Sequence, residues 1–208
     1  MLILGAASIR AQSQAATTDG AKKVNARPAE EGTSPRDPFV GASAEVMAKQ
    51  CVTLDTDAGA ISLEMFPEVA PETVRNFLNV AATGGFDTTT FSRVVRDFVI
   101  QGGDLSTGEH WGAELSQRMS HRLPDEPSAV KHVRGIVSMA RTNEANSATT
   151  NFFILVGDGH HLDGTFSAFG RVTKGMEVVD AINHADLNGE KPAKPVHIKH
   201  AIVATCAR

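Results

Sequence analysis

An arginine and a glutamine interrupt a stretch whose other residues suit a buried strand. The stretch is FSRVVRDFVIQGGD, residues 91–104, in which Arg93 and Gln101 stand among phenylalanine, valine and isoleucine. If 91–95 and 97–101 are adjoining strands, both polar side chains project from one side of the sheet, which they share with the ring of Phe98. A permanent cation and an amide would then flank an aromatic surface. Taken alone, the pair is also explained by an arginine snorkelling at a strand end and a glutamine bonded to loop backbone.

The elements that position these residues are short strands and two helices. Alternating residues predict a hairpin over 51–66, and Pro71 begins a helix whose apolar positions recur at helical spacing. Further strands are predicted at 91–95, 97–101, 133–139, 151–156, 168–173 and 196–205, with a second helix over 175–185. This order predicts a mainly β fold, a closed eight-stranded antiparallel β-barrel capped by two α-helices. Residues 105–130 read as a surface loop.

Composition limits the classes of function. The chain has 208 residues, 41% of them hydrophobic, and a net charge of −4, which is ordinary for one globular domain and offers no basic field for nucleic acid. No apolar run has the length of a membrane span. The sequence contains no GxGxxG after a strand, no P-loop, no HExxH and no GxSxG. The histidines of GDGHHLDG, 157–164, raise a metal-dependent hydrolase as a remote alternative, but their spacing favours a polar turn.

The N-terminal quarter of the chain differs from the rest. A short apolar run followed by small residues predicts a signal-peptide remnant over 1–15, and hence a periplasmic or secreted protein. The alternative is a cytoplasmic protein with an unstructured extension. Residues 16–48 are rich in Ala, Ser, Thr, Pro and charge and predict a flexible linker, which places the folded domain at 49–208.

The two cysteines, Cys51 and Cys206, lie near the two ends of the folded part. In an exported protein they have the placement of a staple between the first and last strands. Against this, Cys51 falls on the polar phase of its strand and Cys206 on the apolar phase of the last strand. A pleat mismatch of this kind requires a bulge before the two can bond, so the sequence leaves both states open.

Four segments in order resemble the cyclophilins, a family of peptidyl-prolyl isomerases. They are FSRVVRDFVIQGGD, then VRGIVSMART at 133–142, NFFIL at 151–155 and HLDGTFSAFGRV at 161–172, and APETVRNFL of the first helix adds to them. The resemblance runs from about residue 50 to the last strand, and the spacing of NSATTNFF is similar to that of the bacterial branch. The family's architecture is a barrel with two capping helices.

The resemblance implies a reaction without covalent chemistry. Rotation about an X–Pro bond breaks amide resonance, against a barrier of about 18–20 kcal/mol. No bond is made or broken, so no cofactor and no metal are needed. The twisted amide nitrogen gains a lone pair, and a guanidinium donor at that nitrogen stabilises the twisted form more than either planar form.

Site residues follow from the same resemblance. Arg93 is implied as the catalytic donor, and Gln101 as the residue that holds substrate backbone and helps to orient the guanidinium. The apolar pocket for the proline ring is implied to consist of Phe98, Phe153 and Leu162, with Val99 and Met139 nearby. The groove for the residues before proline is implied to include Ala140 and Asn151, and His161 and Phe166 are implied as further substrate-binding residues.

Several residues depart from the family's usual pattern. Ser92 stands where a histidine is common, and Arg96-Asp97 replaces proline-glycine at the bend. Asn151 is one methylene shorter than the usual glutamine, and His161 and Phe166 replace a tryptophan and a histidine, which leaves peptide preference and cyclosporin sensitivity open.

Two functions therefore remain at this point. The leading one is an isomerase that acts on proline-containing peptides and on unfolded or folding proteins, as a monomer without nucleic-acid or membrane partners. The alternative is a non-catalytic proline-peptide binding module or chaperone that uses the same groove.

Overall fold

The computed structural model describes residues 37–206. The predicted signal-peptide remnant and residues 16–36 of the predicted linker lie outside the described residues. The helices are α1 (Ala44–Met47), α2 (Pro71–Ala82), α3 (Ala113–Ser120) and α4 (Met176–Asn183), and short 3₁₀ turns span Leu105–Thr107 and His160–Leu162. The strands are β1 (Gln50–Thr56), β2 (Gly59–Met65), β3 (Arg93–Val95), β4 (Val99–Gly102), β5 (Ile136–Met139), β6 (Phe152–Leu155), β7 (Ala168–Lys174), β8 (Leu187–Asn188), β9 (Lys191–Pro192) and β10 (Ile198–Thr205).

Eight of these strands form one antiparallel sheet, as the strand pattern predicted. Their order is β10–β1–β2–β7–β5–β6–β4–β3, while β8 and β9 pair separately as a small hairpin. Alternation decides which residues face the interior: Val52 and Leu54 of β1, and Ile61 and Leu63 of β2, are fully buried. The alternation of apolar and polar residues that predicted the first hairpin therefore matches the alternation of more and less buried side chains in its strands.

The prediction of a closed barrel is wrong, because the curled sheet is an open half-barrel. Its two edge strands, β3 and β10, are not joined by a ladder. The segment before β3 consists of turns and irregular chain. It meets the last strand through single hydrogen bonds, such as Ile198 N–H to the Thr89 carbonyl at 2.7 Å and Ala201 N–H to the Asp87 carboxylate at 2.9 Å, and an isolated bridge joins Thr90 to His197 just before that strand. β3 is three residues long and pairs within the sheet with β4 alone.

The interior is a cluster of phenylalanines, the only abundant aromatic residue in a chain without tyrosine. Phe77 of α2 lies at its centre, with ring centroids 5.0 Å from Phe86, 5.3 Å from Phe152 and 5.0 Å from Phe169. Tilted and edge-on contacts of this kind add to the free energy of burial. They attach α2 to β6 and β7 and so fix the interior behind the functional face.

The structure also has two helices that the pattern did not predict. Residues 105–130 contain a 3₁₀ turn and α3, whose apolar face is short: Leu115 and Met119, four residues apart, are half-buried and pack against the core. Helix α1 lies within the predicted linker, where residues 37–48 form a turn and a helix with Met47 fully buried. Asp37 forms an ion pair with Arg118 of α3, so the chain packs on the domain from residue 37 onward.

Cys51 and Cys206 form a disulfide between the first strand and the residue after the last. The register of β1 and β10 shifts between Asp55 and Thr56, a bulge that reverses the phase of β10. Ile198 is buried before the shift, whereas Ile202, of the same parity, is 52% exposed after it. Cys51 and Cys206 thus lie on one face, which resolves the mismatch seen in the sequence.

The described residues contain no helix that is both long and apolar enough to cross a membrane.

Candidate active site

Arg93 and Gln101 are directly opposed across the β3–β4 pair. Opposed residues of an antiparallel pair point to the same face. The next pair, Val94 and Ile100, points the other way and is almost fully buried. The polar residues inside the apolar stretch therefore line one face of a short hairpin whose other face is core.

The bend between β3 and β4 is held by a helix that lies far away in the sequence. Asp97 has a positive φ of 58°, the left-handed conformation that glycine adopts without cost. The buried side chain of Asn183, at the end of α4, accepts a hydrogen bond from the Asp97 N–H at 2.8 Å and donates to the carbonyls of Val95 and Val99 at 2.9 and 3.2 Å. Sequence reasoning missed Asn183, because nothing in its local pattern points to the bend.

The two glycines that follow Gln101 allow the chains beside it to approach closely. A Cβ at Gly102 would lie 3.3 Å from the rings of Phe152 and Phe91. Gly103 has a φ of +86°, and a Cβ there would lie 2.3 Å from the carbonyl oxygen of Thr150. A side chain is therefore excluded at Gly103 and would be tightly crowded at Gly102, which explains glycine at the end of a strand in the core.

An apolar cavity of about 170 Å³ opens beside Arg93 and Gln101. It contains eight of the eleven predicted site residues together with Arg141; its lining is Arg93, Phe98, Val99, Gln101, Ala140, Arg141, Phe153, Leu162 and Phe166. These residues come from β3, β4, β6, the end of β5 and the 3₁₀ turn at 160–162. Elements distant in sequence thus converge on one small cavity.

Three predicted residues do not line this cavity. Met139 is 2% exposed and packs in the main core, outside the lining of the cavity, so its predicted place near the substrate stays a prediction. Asn151 is half-buried, and its backbone carbonyl accepts a hydrogen bond from Ala140 at 2.9 Å. His161 is exposed and stacks on Phe98 with ring centroids 5.4 Å apart.

Arg141 is a cavity residue that sequence reasoning missed. Its guanidinium lies 4.8 Å from the ring centre of Phe166, a cation–π contact, and Phe166 packs edge-on against Phe153. Arg141 also donates to the carbonyls of Thr142 and Thr165 at 3.0 and 3.4 Å. It therefore supports one wall of the cavity. Arg141 directly follows the predicted site residue Ala140 in the segment SMART, 138–142, and this adjacency could have indicated that it lines the cavity.

Glu190 is a third residue that sequence reasoning missed, after Asn183 and Arg141. It lies between β8 and β9, and its carboxylate accepts hydrogen bonds from Nε of Arg93 at 2.7 Å and from Nη2 at 3.3 Å. The side chain of Arg93 is 44% exposed and that of Glu190 57%. A second, larger cavity of about 450 Å³ lies on the other side of this ion pair. It is lined by Thr90, Phe91, Ser92, Arg93, Asp104, Thr107, Glu190, Lys191, Pro192 and Pro195.

A buried Ser–His–Asp chain stands behind the cavity. His132 is 1% exposed, with Nε2 3.1 Å from Oγ of Ser138 and Nδ1 3.2 Å from a carboxylate oxygen of Asp163. Burial lowers the pKa of His132, although Asp163 opposes the shift. The backbone hydrogen bond from His132 is the main cause that lowers the pKa of Asp163 to about 2. Because Ser138 is fully buried, this chain reaches no substrate and instead ties the Leu162 turn to β5.

Residues 37–206 contain no group of three or more His, Cys, Asp or Glu side chains arranged to hold a metal ion. What the cavity offers is an apolar floor with two guanidinium groups, those of Arg93 and Arg141, and one amide, that of Gln101, in its lining. That set can bind an apolar ring and donate hydrogen bonds beside it, and it includes no activated nucleophile.

Comparison with known proteins gives a consistent answer. Residues 51–203 match the family described as "Cyclophilin type peptidyl-prolyl cis-trans isomerase/CLD". The peptidyl-prolyl cis-trans isomerase cypE of Dictyostelium discoideum is 38% identical over 73% of this chain and 96% of its own. The isomerase cyp18 of Streptomyces antibioticus is 39% identical over 72% of this chain and 96% of its own.

Solved structures agree with the sequence relatives. A cyclophilin-type isomerase of Cryptosporidium parvum is 28% identical, covers 76% of this chain and 99% of its own, and superposes with a TM-score of 0.68. A second structure of that protein, determined in the presence of the dipeptide Ala-Pro, is 27% identical over the same shares and has a TM-score of 0.66. The chain therefore belongs to the family of cyclophilin-type peptidyl-prolyl cis-trans isomerases.

Proposed function

We propose that this chain catalyses cis–trans rotation about X–Pro bonds in peptides and folding proteins, with the proline ring in the 170 Å³ cavity. One observation carries the proposal: a guanidinium and an amide from opposed strand positions border an apolar cavity whose lining includes three phenylalanines and a leucine. Family membership supports the reaction. The Ala-Pro dipeptide named with the Cryptosporidium protein supports the class of ligand.

The site contains all the chemical groups that this reaction needs. The planar amide must lose resonance worth about 18–20 kcal/mol of barrier, and its nitrogen becomes pyramidal as it twists. A donor that bonds the twisted nitrogen more strongly than the planar one lowers that barrier, and each ~1.4 kcal/mol gained is tenfold in rate. Arg93 supplies such a donor, because a guanidinium presents only N–H groups and has no acceptor.

All the predicted site residues except Met139 have a role in this proposal. Arg93 donates to the twisting amide, and Gln101 holds the substrate backbone beside it. The rings of Phe98 and Phe153, with Leu162, hold the proline on one side of the bond so that the other side rotates. The remaining residues, Val99, Ala140, Asn151, His161 and Phe166, border the flanking peptide.

The experiment is an exchange measurement by NMR on an Ala-Pro peptide, without a coupled protease. Wild type should bring cis and trans signals into exchange, and Arg93→Ala should reduce the exchange rate about 100-fold, the loss expected for one preorganised donor. Arg171→Ala is the matched control, because Arg171 of β7 pairs with Glu64 and borders neither cavity. Peptide binding without exchange in wild type would instead establish the non-catalytic binding module.

Three further properties belong to this proposal. The spacing of NSATTNFF supports a place near the bacterial branch, and relatives of similar identity come from bacteria and from eukaryotes. The Cys51–Cys206 disulfide supports an exported protein, because such bonds persist in oxidising compartments. We propose that the protein is a monomer. Thiol titration of protein purified from its host would test the disulfide and with it the export. The mass measured by light scattering would test the monomer.

A further inference from the structure

The orientation of the Arg93 guanidinium is set by a residue outside the cavity. Gln101 is the cross-strand partner of Arg93, the position from which an orienting contact is expected. Within residues 37–206, however, the hydrogen bonds of the Arg93 side chain go to Glu190 and none goes to Gln101. The guanidinium is thus held from the side of the small β8–β9 hairpin.

Glu190 is itself fixed at both ends. Its backbone carbonyl accepts a hydrogen bond from the N–H of Val94 at 2.6 Å, and its carboxylate reaches the neighbouring Arg93. The hairpin that carries it turns at Gly189, which has a φ of 65°, and pairs Leu187 with Pro192. Because the backbone of Glu190 is bonded to the same strand as Arg93, the carboxylate has a defined place relative to the guanidinium.

The pattern of donors used is what a positioning contact requires. Glu190 takes the N–H of Nε and one N–H of Nη2, the edge of the guanidinium nearest the side-chain stem. Nη1 has no partner among the described residues, so it remains for a ligand in the cavity that Arg93 lines. A two-point contact fixes the plane of a guanidinium, whereas a half-exposed arginine without one samples several rotamers.

We propose that Glu190 is a positioning residue of the isomerase site, which orients the Arg93 guanidinium toward the twisting amide. The inference rests on the proposed role of Arg93. It predicts that a change at residue 190 acts through the rate of rotation and has little effect on peptide binding, because the apolar cavity walls that hold proline do not include Glu190.

The test compares Glu190→Ala and Glu190→Gln with Glu64→Ala. Glu64 is the matched control because it pairs with Arg171 at 2.6 Å at a distance from both cavities. In the Ala-Pro exchange experiment we expect Glu190→Ala to lower kcat about threefold to tenfold, with KM changed less than about twofold. Glu190→Gln, which keeps one acceptor oxygen, should recover part of the rate. Glu64→Ala should match wild type.

A double variant separates positioning from other effects. In an Arg93→Ala background, Glu190→Ala should cause no further loss, because the residue it positions is absent. A direct readout is the Nε–H signal of Arg93 by NMR, assigned by its disappearance in Arg93→Lys. Hydrogen exchange of this signal should be slow in wild type and in Glu64→Ala, and fast in Glu190→Ala.

Three results would overturn the inference. If Glu190→Ala exchanges the peptide at the wild-type rate, the Arg93–Glu190 contact is only a surface ion pair without a role in catalysis. If the rate is higher than wild type, Glu190 competes with the substrate for Arg93. An equal loss in the Arg93→Ala background would show that Glu190 acts independently of Arg93. Full activity of Arg93→Ala itself is a different failure, because it removes the proposed role of Arg93 and not only the contact that orients it.

Discussion

The side chain of Asn183 accepts a hydrogen bond from the backbone N–H of Asp97 at 2.8 Å, across 86 residues of sequence. The same amide donates to Val95 and Val99, so one side chain at the end of α4 holds both strands that carry Arg93 and Gln101. The bend adopts a left-handed conformation at Asp97, which is costly for a residue that has a Cβ. The hydrogen bonds of Asn183 offset that cost.

Removal of this amide should destabilise the protein strongly. Asn183→Ala takes three hydrogen bonds from a fully buried position, and we expect the free energy of unfolding to fall by about 3 kcal/mol. Urea unfolding followed by circular dichroism measures the change. Asn143→Ala, at an exposed loop position, should stay within about 0.5 kcal/mol of wild type. Equal effects of the two substitutions would show that the bend at Asp97 is stable without the hydrogen bonds of Asn183.

Gly103 should resist substitution more than a glycine of similar backbone conformation in open space. Gly103→Ala adds a Cβ that overlaps the carbonyl of Thr150, whereas a Cβ at Gly164, where φ is +67°, would meet no atom within 4 Å. Gly164→Ala should cost about 1 kcal/mol from conformation alone. Gly103→Ala should cost about 3 kcal/mol or more, because Thr150 belongs to the core wall behind the cavity. Thermal unfolding of both variants tests this, and similar losses would refute the close-contact explanation.

The disulfide should contribute to stability without affecting the reaction. Its cysteines are 155 residues apart, and closing a loop of that length corresponds in the chain-entropy model to about 4–5 kcal/mol. A Cys51→Ser/Cys206→Ser double variant should unfold at lower denaturant concentration while its exchange rate on Ala-Pro stays at the wild-type value. Reductant should destabilise wild type and leave the double variant unchanged. A wild-type protein indifferent to reductant would contradict this expectation.

Acid should reduce stability in two steps. Burial lowers the pKa of His132 below its ordinary 6.5, so the unfolded chain takes up a proton first as the pH falls through that value. Stability is therefore present above about pH 6.5 and decreases below it, by at most about 1.4 kcal/mol per pH unit for one group. The pKa of Asp163 is lowered from 3.8 to about 2, mainly by its backbone hydrogen bond, so its contribution is lost between about pH 4 and 2.

The first of these steps can be isolated with a non-titrating residue. His132→Gln should reduce the stability at about pH 7, because its contact with Asp163 is lost, and should flatten the decrease between about pH 7 and 5. The measurement is a series of urea unfolding curves across that range. A slope identical to that of wild type would assign the acid sensitivity to other groups.

The sequence by itself determined the elements whose evidence is local. The hairpin of β1 and β2, helix α2 and the strands on either side of Arg96-Asp97 follow from apolar residues at periods of about 2 and 3.6 in contiguous stretches. The same stretches contain Arg93 and Gln101, and the resemblance of the four motifs identified eight residues that line one cavity. Periodicity and motif spacing are properties of neighbouring residues, so a single sequence contains them.

The tertiary structure alone decided what depends on distant segments. Glu190 meets Arg93 across 97 residues, and Asn183 holds the bend, but neither has a local pattern that would point to its partner. The bulge in β1 and β10 brings the cysteines onto one face, the lack of pairing between β3 and β10 leaves the half-barrel open, and half-buried side chains of α3 pack against the core. Register and contact between distant segments depend on the packing of the whole domain, and a one-residue shift reverses which face a side chain occupies.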